Sequence, residues 1–298
     1  MIVGSSMRSA AKLAMLRELV LSELHIVQAR KRMPYRGHLL VDLTAGDAAG
    51  AGSDNWWRSS SPAIFAYAAA KFRQVHVRLW EIDGATFEQL IANLCRVLPR
   101  MDFVVRKRGP WNWEHACTGS TIEAFQGDSR LLEDFADMRR WQHLLVFNDP
   151  NTVNQWALNM QFFGQAHGTI SFIASMGCNS HALKRAVPLE NRSQWFERLE
   201  EAIDLVRGRP KYDLCLLRVV SDGHQWAYLV MLPANRTIRH ASTMLQYSWR
   251  RDTREFERQI TELFYNKSER ENGHRWQAEP LGSLAGASPS AGNSLCGG

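Results

Sequence analysis

Hydrophobic and polar positions change their period several times along the chain. Residues 7 to 32 repeat apolar side chains at helical spacing, with Leu13, Leu16, Leu19, Val20, Leu24 and Val27 on one side. This predicts a leading amphipathic helix that packs its apolar side on a core and ends in the basic cluster Arg30, Lys31 and Arg32. Beyond Pro34 the element types alternate. HLLVDL (38–43) is a nearly unbroken apolar run, as expected of a strand covered on both faces. Segment 61–72 is helical in composition, 75–83 strand-like and 85–98 helical. Segments 103–108 and 121–128 read as strands around a polar insert bearing Trp111 and Trp113. A helix is expected over 131–141, a strand over 143–150, a helix over 152–163, a strand over 169–176 and a long helix over about 181–207. Strands alternating with helices of this length imply βαβ units, so the expected fold is α/β, a Rossmann-like doubly wound sheet that is mostly parallel.

The end of the sheet breaks the alternation. DLCLLRVV (213–220) and QWAYLVML (225–232) flank Ser221-Asp222-Gly223-His224, and Asp-Gly between apolar runs signals a tight antiparallel hairpin. A terminal amphipathic helix follows over 248–264, and from about Glu271 the chain turns to Gly, Ser, Ala and Asn. The expected organisation is a helical extension over 1–37, a core over 38–232, a helical extension over 233–270 and a disordered tail over 271–298.

Composition narrows the class without naming it. The 298 residues amount to about two units of ~150, or one large decorated α/β domain. Hydrophobic residues at 45% and charged ones at 22% argue against wholesale disorder. The net charge of +6 permits a polyanionic partner without requiring one. No apolar run approaches the ~20 residues of a membrane span, and the N-terminus lacks a signal-peptide core. Five scattered cysteines with no CxxC spacing read as reduced thiols in a cytoplasmic protein, with no metal site expected.

The candidate chemistry gathers at strand ends. The first strand runs from Asp42 into Leu43-Thr44-Ala45-Gly46-Asp47-Ala48-Ala49-Gly50, and ligands of open α/β sheets bind beyond the carboxyl ends of the strands. Small residues there let the backbone approach a ligand closely. Glu81 ends the second strand, where a carboxylate can accept both hydroxyls of a ribose. Asp128 and Asp149 end two further strands. An isolated acidic strand end is commonly a helix cap, but four at one rim point to a site. The GxGxxG spacing of NAD-binding sheets, the competing use of such a fold, is absent.

The order of elements, the Asp42…Gly46…Gly50 loop, Glu81, Gly127-Asp128, Asn148-Asp149-Pro150 and the closing hairpin resemble the class I S-adenosylmethionine-dependent methyltransferases over about residues 38–232. Asp42-Leu43-Thr44-Ala45-Gly46 and Asp149-Pro150 look most like the three-Cys-motif partner family. The resemblance implies S-adenosylmethionine as cofactor, held by Asp42, Thr44, Ala45, Gly46, Asp47 and Gly50, with Glu81 at the ribose and Asp128 at the adenine. Ala48 replaces the middle glycine of the family's loop, and Ser53 to Ser61 lengthen the path to the first helix.

Asn148, Asp149, Pro150 and Asn151 stand where amino-methylating enzymes of nucleic acids carry a polar residue, two prolines and an aromatic. By that resemblance these four residues form the catalytic centre, orienting a base amine in DNA or RNA. Asn151 and Thr152 depart from the second proline and the aromatic. Trp56, Trp57 and Asn179 are candidate substrate contacts on neighbouring rim loops. Arg106, Lys107 and Arg108 with Trp111, Trp113 and His115 form a basic and aromatic patch suited to phosphates and bases. The alternative reading is a catalytically inactive methyltransferase-like binding or partner protein.

Overall fold

The computed structural model describes residues 7–29, 37–50, 53–107, 111–128, 143–149, 169–178, 192–221, 224–234 and 244–277. In chain order the elements are α1 (Met7–Ala29), β1 (His38–Asp42), α2 (Ser61–Lys71), β2 (Val75–Glu81), α3 (Gly84–Val97), β3 (Phe103–Lys107), β4 (Trp111–His115) and β5 (Thr121–Gln126). Then come β6 (His143–Asn148), β7 (Thr169–Cys178), α4 (Arg192–Arg207), β8 (Tyr212–Ser221), β9 (His224–Pro233), β10 (Met244–Ser248), α5 (Thr253–Phe264) and α6 (Lys267–Glu271).

The strands form one sheet in the order β10-β8-β9-β7-β6-β1-β2-β5-β4-β3. Pairings among β5, β2, β1, β6 and β7 are parallel, and all others are antiparallel. The chain leaves β1 toward β2 on one side and returns to β6 on the other, which makes β1/β6 the switch point where a doubly wound sheet opens a ligand crevice. The antiparallel insertion of β9 between β7 and β8 is the closing hairpin expected from the sequence, with Ser221 facing His224.

The apolar runs are explained by burial on both faces. In β1, Leu40 enters one core while Leu39 and Val41 enter the other. In β6, Leu145 and Phe147 face the first core, and Leu144 and Val146 the second. Leu16, Leu19, Val20 and Leu24 of α1 are buried in the first core with Ile64 and Phe65 of α2 and Leu90 and Leu94 of α3. The second core holds Leu199 and Ile203 of α4 and Phe256 and Ile260 of α5. Each such side chain contributes about 1.5–3 kcal/mol. Local signals agree with the packing: Ser60 caps α2 through the Ala63 N–H, and Asp83 caps α3 through the Thr86 N–H at 2.8 Å.

Three expectations are corrected. The Trp-bearing insert is strand β4, paired to β3 and β5 at the sheet edge. Trp113 and His115 are buried, Trp111 stacks on Trp113 with centroids 5.6 Å apart, and Arg106 pairs with Glu114. The aromatic half of that patch is therefore spent on packing. The segment from 248 does not begin a helix: Ser248 ends β10, because its hydroxyl donates to the buried Asp213 carboxylate, and the helix starts at Thr253. Residues 271–276 do not belong to a tail, since Glu271 closes α6 and Trp276 is buried in the second core beside Phe256 and Phe196, and residues 278–298 lie outside the described residues. The helices expected over 131–141 and 152–163 lie outside the described residues, as does the first part of the helix expected from 181.

Candidate active site

At the carboxyl ends of β1 and β2 the backbone is tied into a continuous ledge. Leu43 N–H donates to Phe147 O at 3.0 Å, Ala45 N–H to Trp80 O at 2.9 Å, and Gly127 N–H to Glu81 O at 3.0 Å. Side chains add two links. Glu81 Oε2 accepts the Gly46 N–H at 2.9 Å, and Thr44 Oγ1 accepts the Asp149 N–H at 3.0 Å. Asp42, Thr44, Ala45, Gly46, Glu81 and Asp149 are thus brought to one rim, and Asp128 follows β5 beside them.

The loop after β1 is shaped by left-handed residues. Gly46, Ala48 and Gly50 have φ of +66°, +54° and +84°. Gly46 has open space where a Cβ would stand, whereas a Cβ at Gly50 would lie 2.7 Å from the Ser59 Cβ. Ala48 adopts the conformation glycine would take, and its methyl is buried in the first core. Asp47 Oδ1 accepts the Ala49 N–H at 2.9 Å, and Asn93 of α3 donates to Asp47 O at 2.7 Å.

Two polar atoms at this rim are buried without hydrogen-bond partners: Asp42 Oδ2 and Asn148 Nδ2. Asp42 is fully buried, and burial pushes its carboxyl up to about 7, against the opposing pull of the Ser61 hydroxyl and the Thr44 N–H. The Ser61 hydroxyl is close enough to act on the carboxyl without completing a well-formed bond to Oδ2. Asn148 is 2% exposed. Asp42 Oδ2 and Asn148 Nδ2, on adjacent strands, are thus free to bond a polar ligand group.

Sequence reasoning missed four contributors. Lys12 of α1 forms an ion pair with Asp149; nothing local in the sequence announces so distant a contact. Asn93 was detectable, being a lone amide on the apolar stripe Leu90, Ile91, Leu94 and Val97. Ile82, 56% exposed beside Glu81, is a large apolar side chain left open at the rim. Arg17 reaches the Trp57 ring from α1. Trp57 itself stacks on Tyr67 with centroids 4.9 Å apart, Arg58 lies 4.0 Å from its centroid, and Trp56 packs against the first core. Pro150, Asn151 and Asn179 lie outside the described residues.

No family model matches the chain, and no curated protein matches it. Similar solved structures include the cofactor-bound Rv0187 protein from MTB, at 13% identity and TM-score 0.45 over 79% of this chain and 84% of that one. A candidate O-methyltransferase from Klebsiella pneumoniae is 12% identical, with TM-score 0.44 over 78% and 84%. The precorrin-6y C5,15-methyltransferase from Geobacter metallireducens is 10% identical, with TM-score 0.37 over 72% and 86%. The chain's own strand order, with parallel β5-β2-β1-β6-β7 closed by antiparallel β9 and β8, gives it a Rossmann-like α/β fold. Among the described residues no group of acidic, His and Cys side chains could hold a metal ion, and no helix is long and apolar enough to cross a membrane.

Proposed function

We propose that the chain is an S-adenosylmethionine-dependent methyltransferase acting on a nucleic acid, with the rim of β1, β2 and β6 as its site. The observation that carries this reading is the pair of open buried atoms, Asp42 Oδ2 and Asn148 Nδ2, on either side of the switch point. They lie beside a loop whose Gly46 leaves free space where a side chain would stand. Such a site suits a ligand with both donors and acceptors, as the amino-acid end of the cofactor has.

The residues present fit the rest of that group. Each Glu81 oxygen accepts one backbone N–H, from Gly46 and from Asp83, and each keeps a lone pair for a ribose hydroxyl. Ile82 supplies an apolar wall beside it, and Asp128 an acceptor for an exocyclic amine. When bound, the cofactor supplies an electrophilic methyl group on a sulfonium. The chain's part is positioning: Asn148 and Asp149 accept hydrogen bonds from a target amine and aim its lone pair, while the Lys12 ammonium and the Thr44 hydroxyl hold Asp149 in place.

Calorimetric titration with S-adenosylhomocysteine tests the reading. Micromolar binding that weakens at least tenfold in Glu81→Ala and Asp42→Ala is expected. Absence of binding by the native chain, or undiminished binding by both variants, overturns it.

A further inference from the structure

Helix α1 runs alongside α2 from the reaction rim to the far end of the sheet: Lys12 meets Asp149 at the rim, while His25 packs on Phe72 and Gln28 donates to Arg73 O at the other end. Between these ends, three cations gather around two stacked rings. Arg58 lies 4.0 Å and Arg17 5.4 Å from the Trp57 centroid, and Lys71 lies 5.7 Å from the centroid of Tyr67, on which Trp57 stacks. Tyr67 and Lys71 are one helical turn apart on α2, which continues the line away from the rim.

Among the described residues no carboxylate pairs with Arg17, Arg58 or Lys71, and Arg17 Nε is buried without an acceptor. The contrast within the molecule is sharp: Arg258 is paired to Glu255 and Glu262, Arg192 to Glu269, and Arg106 to Glu114. Arg17 and Arg58, held on the one Trp57 ring with no carboxylate among the described residues paired to either, repel one another, and the ring faces offer attraction without neutralising charge. An external anion relieves that repulsion. The rings restrict the guanidiniums beforehand, which lowers the entropy lost when an anion binds.

We infer that the Arg17, Arg58 and Lys71 cluster along the α1–α2 surface is the binding track for the phosphodiester backbone of the nucleic-acid substrate, leading from the reaction rim. This deepens the nucleic-acid reading above and rests on it. The Trp57 ring is a scaffold for the guanidiniums and not a stacking platform for a base, because residues of this chain already occupy it. Contact through phosphates alone makes the track indifferent to sequence and sensitive to salt. An anionic membrane is the poorer partner for this surface. A membrane-lying helix presents an apolar face, and Leu16, Leu19, Val20 and Leu24 of α1 are all buried in the core.

The test is fluorescence anisotropy with labelled single-stranded RNA and DNA of one sequence, over a salt series from about 50 to 200 mM. For the native chain, affinity falls steeply with salt. Arg17→Gln/Arg58→Gln/Lys71→Gln is expected to bind at least tenfold more weakly, with a log–log salt slope shallower by about two, since each phosphate contact on a single strand contributes ~0.7. The double variant Arg58→Gln/Lys71→Gln changes only exposed side chains and is expected to lose about 1.4 of slope. Loss on both RNA and DNA supports the backbone track, and loss on one alone assigns the track to that nucleic acid. Unchanged affinity and slope in the folded double variant overturn it, as does native binding to phosphatidylserine vesicles with none to either oligonucleotide. S-adenosylhomocysteine calorimetry on the same preparations separates the two claims. A native chain that binds oligonucleotide through this cluster but not S-adenosylhomocysteine defeats the methyltransferase reading and leaves the track standing.

Discussion

Lys12 on α1 forms an ion pair with Asp149 at the end of β6, joining the leading helix to the rim of the sheet. Both side chains are about one-fifth exposed, at 24% and 17%, so solvent screens the pair only in part. A double-mutant cycle of Lys12→Met and Asp149→Asn, read by urea unfolding, is expected to give a coupling of about 1 kcal/mol. Additive effects of the two substitutions would mean that this ion pair does not form in solution.

Asp42 makes stability depend on pH in a defined direction. Its carboxyl is raised from 3.8 to about 7 by burial, with Glu81 adding repulsion and Lys12 opposing it. The folded chain therefore keeps a proton that the unfolded chain releases between pH 3.8 and 7. This contribution to stability is fully present below the lower value and is lost as pH rises toward the upper one. The slope from this group is at most about 1.4 kcal/mol per pH unit. Asp42→Asn is expected to unfold at higher temperature than the native chain at pH 8 and to lose that slope, while binding S-adenosylhomocysteine more weakly. Parallel stability–pH curves for the two would contradict it.

A second buried group acts at the opposite, amino end of β1 and in the opposite sense. His38 is fully buried, pairs in register with His143, and stacks on it with centroids 5.6 Å apart. Burial, and to a lesser extent His143, lower its ring to about 3 from 6.5. The unfolded chain takes up a proton below pH 6.5 that the folded chain refuses, so stability falls as pH drops from 6.5 toward 3. His38→Leu removes this contribution. The variant is expected to lose less stability than the native chain between pH 6.5 and 4.5, measured by denaturant midpoints. An unchanged acid limb would place the loss elsewhere.

The parts of this fold that the sequence announces are those where one physical signal dominates. HLLVDL and HLLVFN are nearly unbroken apolar runs because β1 and β6 are covered on both faces, and the Asp-Gly signal for a hairpin agrees with the pairing of Ser221 and His224 between β8 and β9. The rim carboxylates were legible for the same reason, since a charge ending an apolar run stands out. Strand β4 was hidden because Trp111-Asn112-Trp113-Glu114-His115 is polar on the side facing out, and its two stacking tryptophans look like a ligand platform until packing is known. Strand β10 was hidden because its end is set by the distant Asp213. The Lys12–Asp149 and Asn93–Asp47 contacts span most of the site yet join residues 137 and 46 apart in sequence, a separation that no local pattern encodes.

The two glycines of the loop after β1 serve different ends, and substitution separates them. Alanine at either site occupies left-handed backbone, which costs roughly 1–2 kcal/mol. At Gly46 nothing else opposes the methyl group, because the space around it is open. Gly46→Ala is therefore expected to fold with a modest loss of stability yet to bind S-adenosylhomocysteine at least tenfold more weakly, since the methyl projects into the proposed site. At Gly50 the added Cβ meets Ser59, whose hydroxyl is committed to the Ala49 carbonyl and whose backbone continues into α2. Overpacking there adds about 1–3 kcal/mol, so Gly50→Ala is expected to be markedly the less stable of the two. Thermal unfolding with calorimetry on both variants decides the matter. Equal stability losses would show that the Ser59 contact gives way freely, and full ligand affinity in Gly46→Ala would remove that residue from the site.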